Sequence, residues 1–377
     1  MPLSDLQVLD LSRLLPGPYA TMILADLGAD VVKLESPHKP DYLRFIPPLK
    51  DDVNVAFSVL NRGKRSIMVR FDTAEGAAVV RRLASRCDVL VESFRSGYLE
   101  RFGLDYARLS ADNPRLIYAS LTAHGQRSTR AGHDLNFLAL SGLGAAFRNR
   151  NGDPVMPAVQ LGDLMGGLST ALAVLAALHE RSRTGRGRHL DLSLTDAAYA
   201  LTVLRSAEQL ATGSVKAQQV LAGASPAYRY YRCADGKWLA VGAIEDKFRS
   251  LLCQALGCPE LAEELLMPGR RAPELHRRLE EMFAGRPRHE WLELLTPLDA
   301  CIEPVLEPDE TLEHEWFVQR HGQVAEPPGL LGAVFPRRSK PVPAPGADTR
   351  PVLRGAGFTE DELRTLEEGE HVFPAEA

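Results

Sequence analysis

The chain has 377 residues, a formal net charge of −5, and 45% hydrophobic against 25% charged residues. This length exceeds the ~100–200 residues of a typical single domain, so two domains are expected. The composition is that of an ordinary globular protein. The negative charge argues against a general nucleic-acid binder, although it leaves open a local basic site for an anionic ligand.

Cysteine usage and apolar runs both favour a cytoplasmic protein without a membrane span. The five cysteines are scattered and form no C-x-x-C pair, which indicates reduced thiols instead of a disulfide framework or a zinc site. The start Met1–Asp5 lacks a basic residue followed by an apolar stretch, so no signal peptide is expected. The longest uncharged run, residues 164–178, is too short to cross a bilayer and predicts a buried helix.

The first 35 residues predict a strand, a turn, a helix and a second strand. Residues 6–12 predict the first strand, and the Pro-Gly-Pro at 16–18 separates it from a helix over 19–27. Gly28 suits the C-terminal cap of that helix, and residues 30–35 predict the second strand. The segment therefore predicts a β-turn-α-β unit.

The same alternation of strands and helices recurs up to residue 122. The predicted elements are a strand at 66–71, a helix at 74–85, a strand at 88–92, helices near 98–110 and a strand at 116–122. This order implies a Rossmann-like α/β fold, with an open, mostly parallel sheet covered on both faces. The glycine fingerprint of dinucleotide binding is missing after the first strand, since the nearest string, Gly142–Phe147, lies far downstream with Phe147 in the third glycine position. A nicotinamide oxidoreductase is therefore only a weak hypothesis.

The second half predicts further helices and a separate, smaller α+β domain. A helix is expected over 164–183, then a basic turn with a strand, then a helical stretch over 195–212. Runs rich in β-formers on either side of Asp235-Gly236 predict a hairpin. The later predicted elements are helices at 247–256, 273–284 and 289–295, a strand at 301–308, a Pro-rich connector or packed strap from Glu326, and a helix at 359–368.

These elements predict the domain organisation. A large domain is expected over residues 1–200, followed by a linker helix region at 201–222 and a small domain at 223–320. Residues 321–377 are expected to return to the large domain.

Three short segments each place one ionisable residue in an apolar or glycine-rich setting. They are His133 in AGHDLNFLALSG, Asp163 in QLGDLMGG and Glu245 in AVGAIEDKF. A base, an acid and a carboxylate that orients the base are the parts needed for proton transfer at a carbon atom. The segments are far apart in sequence, so only the fold can bring them together.

Each candidate also has a structural alternative. Asp163 is expected just before the 164–183 helix, where the helix dipole stabilises a carboxylate, but a simple N-cap has the same position. His133 can act as a base near neutral pH, or it can form a hydrogen bond at a helix start, with Asp134 as its rival for capping. Glu245 is equally compatible with a surface or capping role, for which Asp246 competes.

Glycines and basic residues indicate where a ligand would bind. Gly162, Gly166 and Gly167 are expected to leave room for a ligand beside Asp163. Six basic residues lie near the predicted ends of strands, where anionic ligands of open α/β sheets bind; the alternative is solvated surface charge. They are Lys33, Arg62, Lys64, Arg65, Arg70 and Arg95. Because the chain has no HExxH, Walker A or G-x-S-x-G motif, metal catalysis, P-loop phosphoryl transfer and α/β-hydrolase chemistry are disfavoured, and no metal ligands are assigned.

An ordered set of motifs gives the chain a resemblance to a known family. The motifs are PGPYATMILADLGADVVKLESP, ESFRSGYLERFGLD, RLIYASLTAHGQ, AGHDLNFLALSG, GDLMGGL, CADGKWLAVGAIE and CIEPVL, and they span nearly the whole sequence. Together they resemble the family III CoA-transferases (CaiB/BaiF), on the α-methylacyl-CoA racemase branch. The resemblance implies a Rossmann-like large domain, a smaller domain around the hairpin, and an interlocked homodimer in which each ring-shaped chain is threaded by its partner. It also places the active site between the large domain of one subunit and the small domain of the other.

The resemblance also implies roles for the three candidate residues. The aspartate of the GD motif, here Asp163, carries the acyl group in the transferase branch and is half of an acid/base pair in the racemase branch. The histidine of the GHD motif, here His133, is the other half, and the glutamate of the GAIE motif, here Glu245, orients it. All three racemase positions match, which favours racemase over transferase.

The CoA site departs from the family pattern at two positions. Ser36 and Asp72 align where racemase relatives often carry a basic residue near the CoA nucleotide, and the charge of Asp72 would repel a phosphate. The same alignment gives four residues expected to border CoA, namely Leu14, Phe71, Phe94 and Arg95.

The sequence thus predicts an epimerase that inverts the α-carbon of a 2-methyl-branched acyl-CoA by two-base proton transfer. The first alternative is CoA transfer between carboxylic acids through an aspartyl anhydride, and the second is a non-catalytic acyl-CoA binder. No cofactor beyond the CoA moiety of the substrate is expected, and the predicted partners are the acyl-CoA and a second copy of the chain. The acyl chain itself is not identified, although Phe137, Met165 and Tyr228 are candidates for lining its pocket.

Overall fold

The computed structural model describes residues 1–149, 151–267, 269–324, 326–335 and 341–375. The chain divides into two compact units, one formed by Met1–Thr202 with Val324–Ala377 and the other by Val203–Gln323. The strands are β1 (Gln7–Asp10), β2 (Asp30–Glu35), β3 (Leu49–Lys50), β4 (Val53–Asn54), β5 (Arg65–Val69), β6 (Val89–Glu92), β7 (Ile117–Thr122), β8 (His189–Ser193), β9 (Tyr228–Arg232), β10 (Trp238–Gly242), β11 (Ile302–Val305) and β12 (Val372–Phe373).

Both units contain α-helices. In chain order they are α1 (Pro16–Asp26), α2 (Val55–Asn61), α3 (Ala74–Ala84), α4 (Tyr106–Asp112), α5 (Asp134–Leu140), α6 (Leu161–Thr184), α7 (Leu194–Ala200), α8 (Val203–Thr212), α9 (Asp246–Ala255), α10 (Ala272–Phe283), α11 (Arg288–Leu295), α12 (Pro308–Glu313), α13 (Glu315–His321), α14 (Thr349–Gly355) and α15 (Glu360–Glu368).

A seven-stranded sheet in the order β12-β5-β2-β1-β6-β7-β8 forms the centre of the first unit. Its neighbouring strands pair in parallel, except that β12 runs antiparallel to β5. The chain places β2 and β5 on one side of β1 and then β6, β7 and β8 on the other, so the strand order reverses between β1 and β6. The predicted α/β fold with a mostly parallel open sheet is confirmed. In such sheets ligands bind outside the carboxyl ends of the strands at the point of reversal.

Strand β6 shows how both faces of this sheet are covered. Its side chains point alternately to opposite faces, as in any strand. Leu90 belongs to a core that includes residues of α3, α14 and α15, whereas Val89 and Val91 pack in a second core with residues of α6. All three are fully buried, which explains why β6 has a continuous apolar sequence.

The C-terminal segment adds the last strand to this sheet. Val372 of β12 lies opposite Val69 of β5, and the backbone N–H of Ser66 donates a hydrogen bond to Asp348 at 2.8 Å. Leu353 and Leu363 of the two preceding helices are fully buried in the same core. The end of the chain is therefore an integral part of the first unit.

Helix α6 is the central helix on one face of the sheet. It is long and apolar enough to cross a membrane by length and composition alone. Thr170, Val174 and Ala177 are nevertheless buried, and the helix packs against α1 and β7. These contacts account for its apolar sequence as that of a core helix, so no membrane span is implied.

The second unit has its own sheet and its own core. Strands β9, β10 and β11 form an antiparallel sheet in the order β11-β10-β9, and the predicted hairpin joins β9 to β10. Phe283 stacks on Tyr231, with 4.7 Å between the ring centroids, and also contacts the ring of Trp291. These three rings join the helices of the unit to its sheet.

The helices predicted over 19–27 and 195–212 differ from those observed. Helix α1 begins at Pro16, so the Pro-Gly-Pro sequence forms its first turn instead of separating it from β1. Proline is tolerated there because the first N–H groups of a helix have no partner within the helix. The helical stretch expected over 195–212 is two helices, α7 and α8, and the boundary between the two units falls between them.

Candidate active site

A cavity of 290 Å³ lies at the carboxyl ends of β1, β6 and β7, beside the reversal of strand order. Both His133 and Asp163 line it, although they belong to different elements. The lining residues are Arg13, Leu14, Pro16, Tyr42, Ser93, Phe94, Arg95, Ser96, Leu121, Thr122, Ala123, Ser128, Thr129, Arg130, Ala131, Gly132, His133, Phe137, Asp163 and Leu194. The fold thus brings two of the three predicted catalytic residues to one cavity of the first unit.

His133 is held at the start of α5. Its backbone N–H donates a hydrogen bond to the side-chain oxygen of Asn136 at 3.0 Å, while Phe137 anchors the helix in a buried core. A Cβ atom at Gly132 would lie 2.6 Å from a ring carbon of Phe137, so the close approach of this loop to α5 requires glycine. His133 itself occupies the N-cap position, and Asp134, its predicted rival for that role, is the first residue of the helix. The imidazole is exposed in the single chain.

Asp163 lies in the first turn of α6, not before the helix as predicted. The helix begins earlier than the apolar pattern indicates, because Leu161 and Gly162 already have helical conformation. The backbone N–H of Asp163 donates a hydrogen bond to Asp134 Oδ1 at 3.0 Å. This bond ties the start of α6 to the start of α5, and thereby places Asp163 near His133.

The environment of Asp163 favours its protonated form. Burial raises the pKa of this carboxyl group, and the neighbouring negative charge of Asp134 raises it further, to about 7. Within the described residues no cation forms an ion pair with Asp163 to oppose these effects. A carboxyl group with such a pKa can donate or accept a proton near neutral pH.

Gly166 and Gly167 do not leave room for a ligand beside Asp163, so the prediction was wrong for these two glycines. A Cβ atom at Gly166 would lie 2.2 Å from a methyl carbon of Leu194 in α7. At Gly167 it would lie 2.5 Å from the carbonyl oxygen of Pro16 in α1. The missing side chains allow α6 to pack closely against two neighbouring helices, and the packed atoms fill the space that the sequence assigned to a ligand.

Glu245 lies in the second unit, in the N-cap position of α9. Its side chain is exposed and makes no capping hydrogen bond, so the simple capping role is not observed. Asp246, its predicted rival, lies in the first turn and forms an ion pair with Arg249. The proposed action of Glu245 on His133 stays a prediction.

Most residues of the predicted basic cluster form ion pairs with carboxylates of the same chain. Lys33 is buried and forms an ion pair with Asp41 at 3.2 Å, and Lys64 is buried against Asp10 at 3.0 Å. The other paired members are Arg62 with Asp26 at 2.9 Å and Arg65 with Asp30 at 2.5 Å. Because carboxylates already balance these four charges, they are not available as a ready site for an anionic ligand. Arg95 differs, since it is exposed and lines the cavity.

The four residues predicted to border CoA lie at two adjoining depressions. We use the name catalytic cavity for the cavity lined by the two candidate catalytic residues. Leu14, Phe94 and Arg95 line this cavity, whereas Phe71 lies in a neighbouring slot that Phe94 also lines. We define the aromatic slot as the depression lined by Leu11, Arg13, Leu34, Glu35, Ser36, Lys39, Phe71, Asp72, Phe94 and Tyr98. Contact of any of them with CoA stays a prediction.

Leu14 has a strained backbone that a buried carboxylate holds in place. Its φ is +66°, in the left-handed region that leucine rarely adopts. The N–H of Leu14 donates to both carboxylate oxygens of Asp41, at 3.2 and 3.1 Å, and Asp41 is fully buried. The ion pair of Asp41 with Lys33 fixes that carboxylate in turn. The contacts of Asp41 with Leu14 and Lys33 therefore shape the cavity wall at the carboxyl end of β1.

Sequence reasoning missed two residues of this region, Arg13 and Glu92. Arg13 lines both the catalytic cavity and the aromatic slot, and its position directly after the first predicted strand was the available signal. Glu92 ends β6 and accepts a hydrogen bond from the N–H of Phe94 at 2.8 Å. Burial raises the pKa of Glu92 to about 7. A glutamate inside an apolar strand was the signal for this second residue.

The three residues suggested for the acyl pocket fall in different places. Phe137 is fully buried and lines the cavity. Met165 is half-buried in α6 and is not among the lining residues, and Tyr228 belongs to the second unit. In the part of the chain that the structure describes, no three His, Cys, Asp or Glu side chains are grouped closely enough to hold a metal ion.

Comparison with known proteins identifies the family of the chain. The family described as CoA-transferase family III matches residues 3–347. Human α-methylacyl-CoA racemase is 36% identical over 383 residues, which cover 97% of this chain and 96% of the human protein. Mouse succinyl-CoA:glutarate CoA-transferase is 37% identical over 268 residues, covering 70% of this chain and 61% of the mouse protein.

Solved structures agree with this match. A CaiB/BaiF family protein from Brucella suis superimposes with a TM-score of 0.81 at 29% identity, over 94% of this chain and 99% of that protein. The match in sequence and the match in fold therefore both cover nearly the whole chain. The chain belongs to CoA-transferase family III, the CaiB/BaiF family.

Proposed function

We propose that this protein is an acyl-CoA epimerase that inverts the α-carbon of a 2-methyl-branched acyl thioester. The observation that carries the proposal is that His133 and Asp163, a base and an acid, line one cavity. The relatives add support, since the match to the human racemase covers 97% of the chain whereas the match to the mouse glutarate transferase covers 70%.

The reaction requires proton transfer on both faces of one carbon atom. The thioester carbonyl acidifies the α-hydrogen, and in one direction His133 removes it, giving an enolate-like species. Asp163, which starts protonated, returns a proton to the opposite face; in the reverse direction the two residues exchange roles. Each direction therefore needs one member of the pair protonated and the other free.

The pKa of Asp163 suits this exchange of roles. Because burial and the charge of Asp134 raise its pKa to about 7, both forms of the carboxyl group are populated near neutral pH. An aspartate with an ordinary pKa would be a weak source of the returned proton. Asp134 thus supports the reaction through its charge and through the hydrogen bond that it accepts from the N–H of Asp163.

The amino end of α6 is the proposed source of stabilisation for the enolate oxygen. The N–H of Asp163 is already bonded to Asp134, so it does not supply this interaction. The positive end of the helix dipole remains close to the reacting centre. In a serine protease, losing one oxyanion-hole donor costs about 2.7–4 kcal/mol.

Glu245 is proposed to orient His133 in an enzyme that acts as a homodimer. A carboxylate that accepts the second ring N–H of a histidine fixes its tautomer and its direction. Glu245→Gln should then lower kcat with little change in KM, because the substrate contacts are kept. A normal kcat in this variant would contradict the orienting role, and sedimentation of the purified protein tests the dimer.

CoA transfer is the competing function within the same family. Transferase relatives are similar over 70–81% of the chain, and Asp163 would form the acyl anhydride in that reaction. That mechanism needs a second carboxylic acid and does not need His133. Substitution of His133 therefore distinguishes the two functions, whereas substitution of Asp163 does not.

The decisive assay uses purified protein, (2R)-2-methylacyl-CoA and deuterated buffer. Epimerisation predicts α-deuterium incorporation with inversion and no acid acceptor, and loss of inversion in both His133→Ala and Asp163→Ala. General acid–base groups of this type contribute about 10²–10⁴-fold. CoA transfer to an added acid, with full activity in His133→Ala, would instead assign the transferase reaction. Binding of the thioester without either reaction would leave only the acyl-CoA binder.

A further inference from the structure

The loop after β1 holds its arginine in a fixed position. The carbonyl oxygen of Ser12 accepts a hydrogen bond from Lys33 Nζ at 2.9 Å, and the N–H of Arg13 donates to Ser93 Oγ at 3.1 Å. The N–H of the next residue, Leu14, donates to the buried carboxylate of Asp41. The backbone of Arg13 is therefore anchored before, at and after the residue, so the origin of its side chain is set by the fold.

The side chain of Arg13 is also directed, and its charge is not balanced by a neighbour. Its guanidinium group lies 5.2 Å from the centroid of the Phe94 ring, a cation–π contact that restricts where the group can move. No carboxylate pairs with it in the described ranges of the chain. Arg44, by contrast, is bonded to Glu35 at 2.7 Å and is buried. Arg13 is therefore a half-buried cation that lies beside the cavity without a carboxylate partner among the described residues.

Arg13 and Phe94 are shared by the two depressions at this edge of the sheet. Both residues line the catalytic cavity and also the aromatic slot. The slot has aliphatic Leu11 and an aromatic wall, in which Phe94 stacks on Tyr98 with 5.1 Å between the centroids. These contacts give the slot an apolar border.

We propose that Arg13 binds the 5′-diphosphate of CoA, at the junction between the catalytic cavity and the aromatic slot. The thioester end then lies with His133 and Asp163, and the diphosphate that joins the two halves of CoA lies at Arg13. The slot has a volume of about 30 Å³, too small to enclose a nucleoside, so the nucleoside is expected along its open side. A guanidinium group recognises phosphate oxygens through two parallel N–H donors.

The charges of the slot agree with this arrangement. Asp72 and Ser36 line the slot, where Asp72 is exposed and Ser36 is buried. A negative charge disfavours a phosphate but accepts hydrogen bonds from amino or hydroxyl groups, which a nucleoside carries. Two cations line the slot, Arg13 and the exposed Lys39. The diphosphate is expected at Arg13 because this residue also lines the catalytic cavity, whereas Lys39 does not.

The test combines one substitution with a shortened series of ligands. The inference rests on the proposed function for the choice of acyl-CoA as ligand. Wild type and Arg13→Ala are compared with the same acyl group on CoA, on 3′-dephospho-CoA and on pantetheine, by KM and kcat for α-exchange. CoA binding itself is measured by calorimetry, which does not depend on turnover.

The effect of the substitution should depend on which phosphates the ligand carries. Arg13→Ala should raise KM and the Kd for CoA by about 10- to 100-fold, with kcat nearly unchanged. The ratio of the variant's KM to the wild-type KM should be the same with the 3′-dephospho-CoA thioester, which keeps the diphosphate. It should fall to one with the pantetheine thioester, which has no phosphate. Arg13→Lys should recover only part of the loss, because lysine keeps the charge without the paired donors.

Other outcomes overturn the assignment. A ratio that disappears with 3′-dephospho-CoA would move Arg13 to the 3′-phosphate, and an equal loss with pantetheine would make it a structural residue. Normal CoA binding by Arg13→Ala, with active α-exchange in the wild type, would reject the inference alone. Absent α-exchange with Arg13-dependent CoA binding would instead reject the proposed reaction and keep the inference.

Arg277→Ala is the matched control for charge. This arginine is exposed on α10 in the second unit and pairs with Glu281 at 2.7 Å. The variant changes the net charge by the same amount as Arg13→Ala, so it measures any general attraction of the anionic ligand. The Kd for CoA should match the wild type, and a loss equal to that of Arg13→Ala would contradict a local contact.

Discussion

Asp10 and Asp163 are two carboxylates of the same unit that lie in opposite electrostatic environments. Burial alone raises the pKa of each. At Asp10 the charges of Lys64 and Lys33, with hydrogen bonds from Ser12 and Thr21, outweigh burial and lower the pKa to about 2. At Asp163 the neighbouring charge is the carboxylate of Asp134, and the pKa rises to about 7.

The difference shows that neighbouring charges and hydrogen bonds, and not burial, determine whether a carboxylate stays charged or exchanges a proton near neutral pH. Asp10 is fully buried and permanently charged, and it organises the loops at the carboxyl end of β1. Asp163 is less buried, but it can gain and lose a proton near neutral pH. The first network fixes the shape of the site, and the second carboxylate performs the proposed reaction.

The largest effect is expected for Asp10→Asn, which breaks the first half of this comparison. The change leaves the buried ammonium of Lys64 without its carboxylate partner. Removing one member of a buried ion pair typically costs about 3–5 kcal/mol of unfolding free energy. Chemical denaturation of the variant at pH 7 measures this loss, and a change near zero would contradict the structural role.

A double variant tests whether the loss comes from the unpaired charge. Asp10→Asn with Lys64→Met removes both charges and keeps a similar volume, so much of the stability should return. If the double variant were as unstable as the single one, the hydrogen bonds of Asp10 with Ser12 and Thr21 would be the main contribution.

Asp163→Asn should change stability in the opposite direction. A carboxyl group whose folded pKa is about 7 and whose usual value is 3.8 ionises more easily in the unfolded chain. The resulting penalty is absent below the usual pKa, grows as pH rises towards 7, and is then constant. The variant should therefore gain on the order of 3 kcal/mol at pH 8 and little at pH 4.

Thermal or chemical unfolding of the wild type and Asp163→Asn at both pH values checks this sign. Asp112→Asn, at an exposed position of α4, is the control for loss of a surface carboxylate. A destabilised Asp163→Asn at pH 8 would show that the carboxylate has a favourable partner and would contradict the comparison.

Asp134→Asn should have a smaller effect, on the pH dependence of the reaction. The asparagine oxygen can still accept the N–H of Asp163, but the negative charge that raises the pKa of Asp163 is lost. The pKa of Asp163 should fall, so the alkaline limb of the α-exchange profile should move to lower pH by less than about one unit. An unchanged limb, or a shift to higher pH, would reject this coupling.

The smallest effect is expected for Arg65→Ala, at the partly exposed end of the basic cluster. Its pair with Asp30 leaves 37% of the arginine side chain and 43% of the carboxylate exposed to solvent. Exposed ion pairs contribute about 0.2–1 kcal/mol, so unfolding free energy should fall only within that range. A loss as large as that of Asp10→Asn would show that burial does not set the scale.

Local patterns in the sequence predicted most of the parallel sheet. The apolar strand at 88–92 and the glycine at position 28 each act within a few residues, where periodicity and capping rules apply. The antiparallel strand β12 was not predicted, because a two-residue strand has no period and depends on its contact with Val69. The early start of α6 was missed for a similar reason, since its first turn is tied by Asp134 from another helix.

The sequence identified His133 and Asp163, which line one cavity, but it did not predict the electrostatics of that cavity, and the role of Glu245 stays a prediction. Motifs located His133 and Asp163, and the resemblance assigned their roles. The sequence placed Lys33 within a predicted strand and Arg13 directly after one, but it did not show that Lys33 forms a buried ion pair whereas Arg13 lines the cavity without one. Pairing of charges depends on which loops meet at the end of the sheet, and this is a property of the fold.

The most direct test of the central claim follows α-deuterium washout from each substrate enantiomer separately. Two-base catalysis predicts that His133→Ala still exchanges the enantiomer whose α-hydrogen faces Asp163, and that Asp163→Ala still exchanges only the other one. Neither variant should invert the carbon. Loss of exchange from both enantiomers in Asp163→Ala, with both retained in His133→Ala, would contradict the assignment of the two residues to opposite faces.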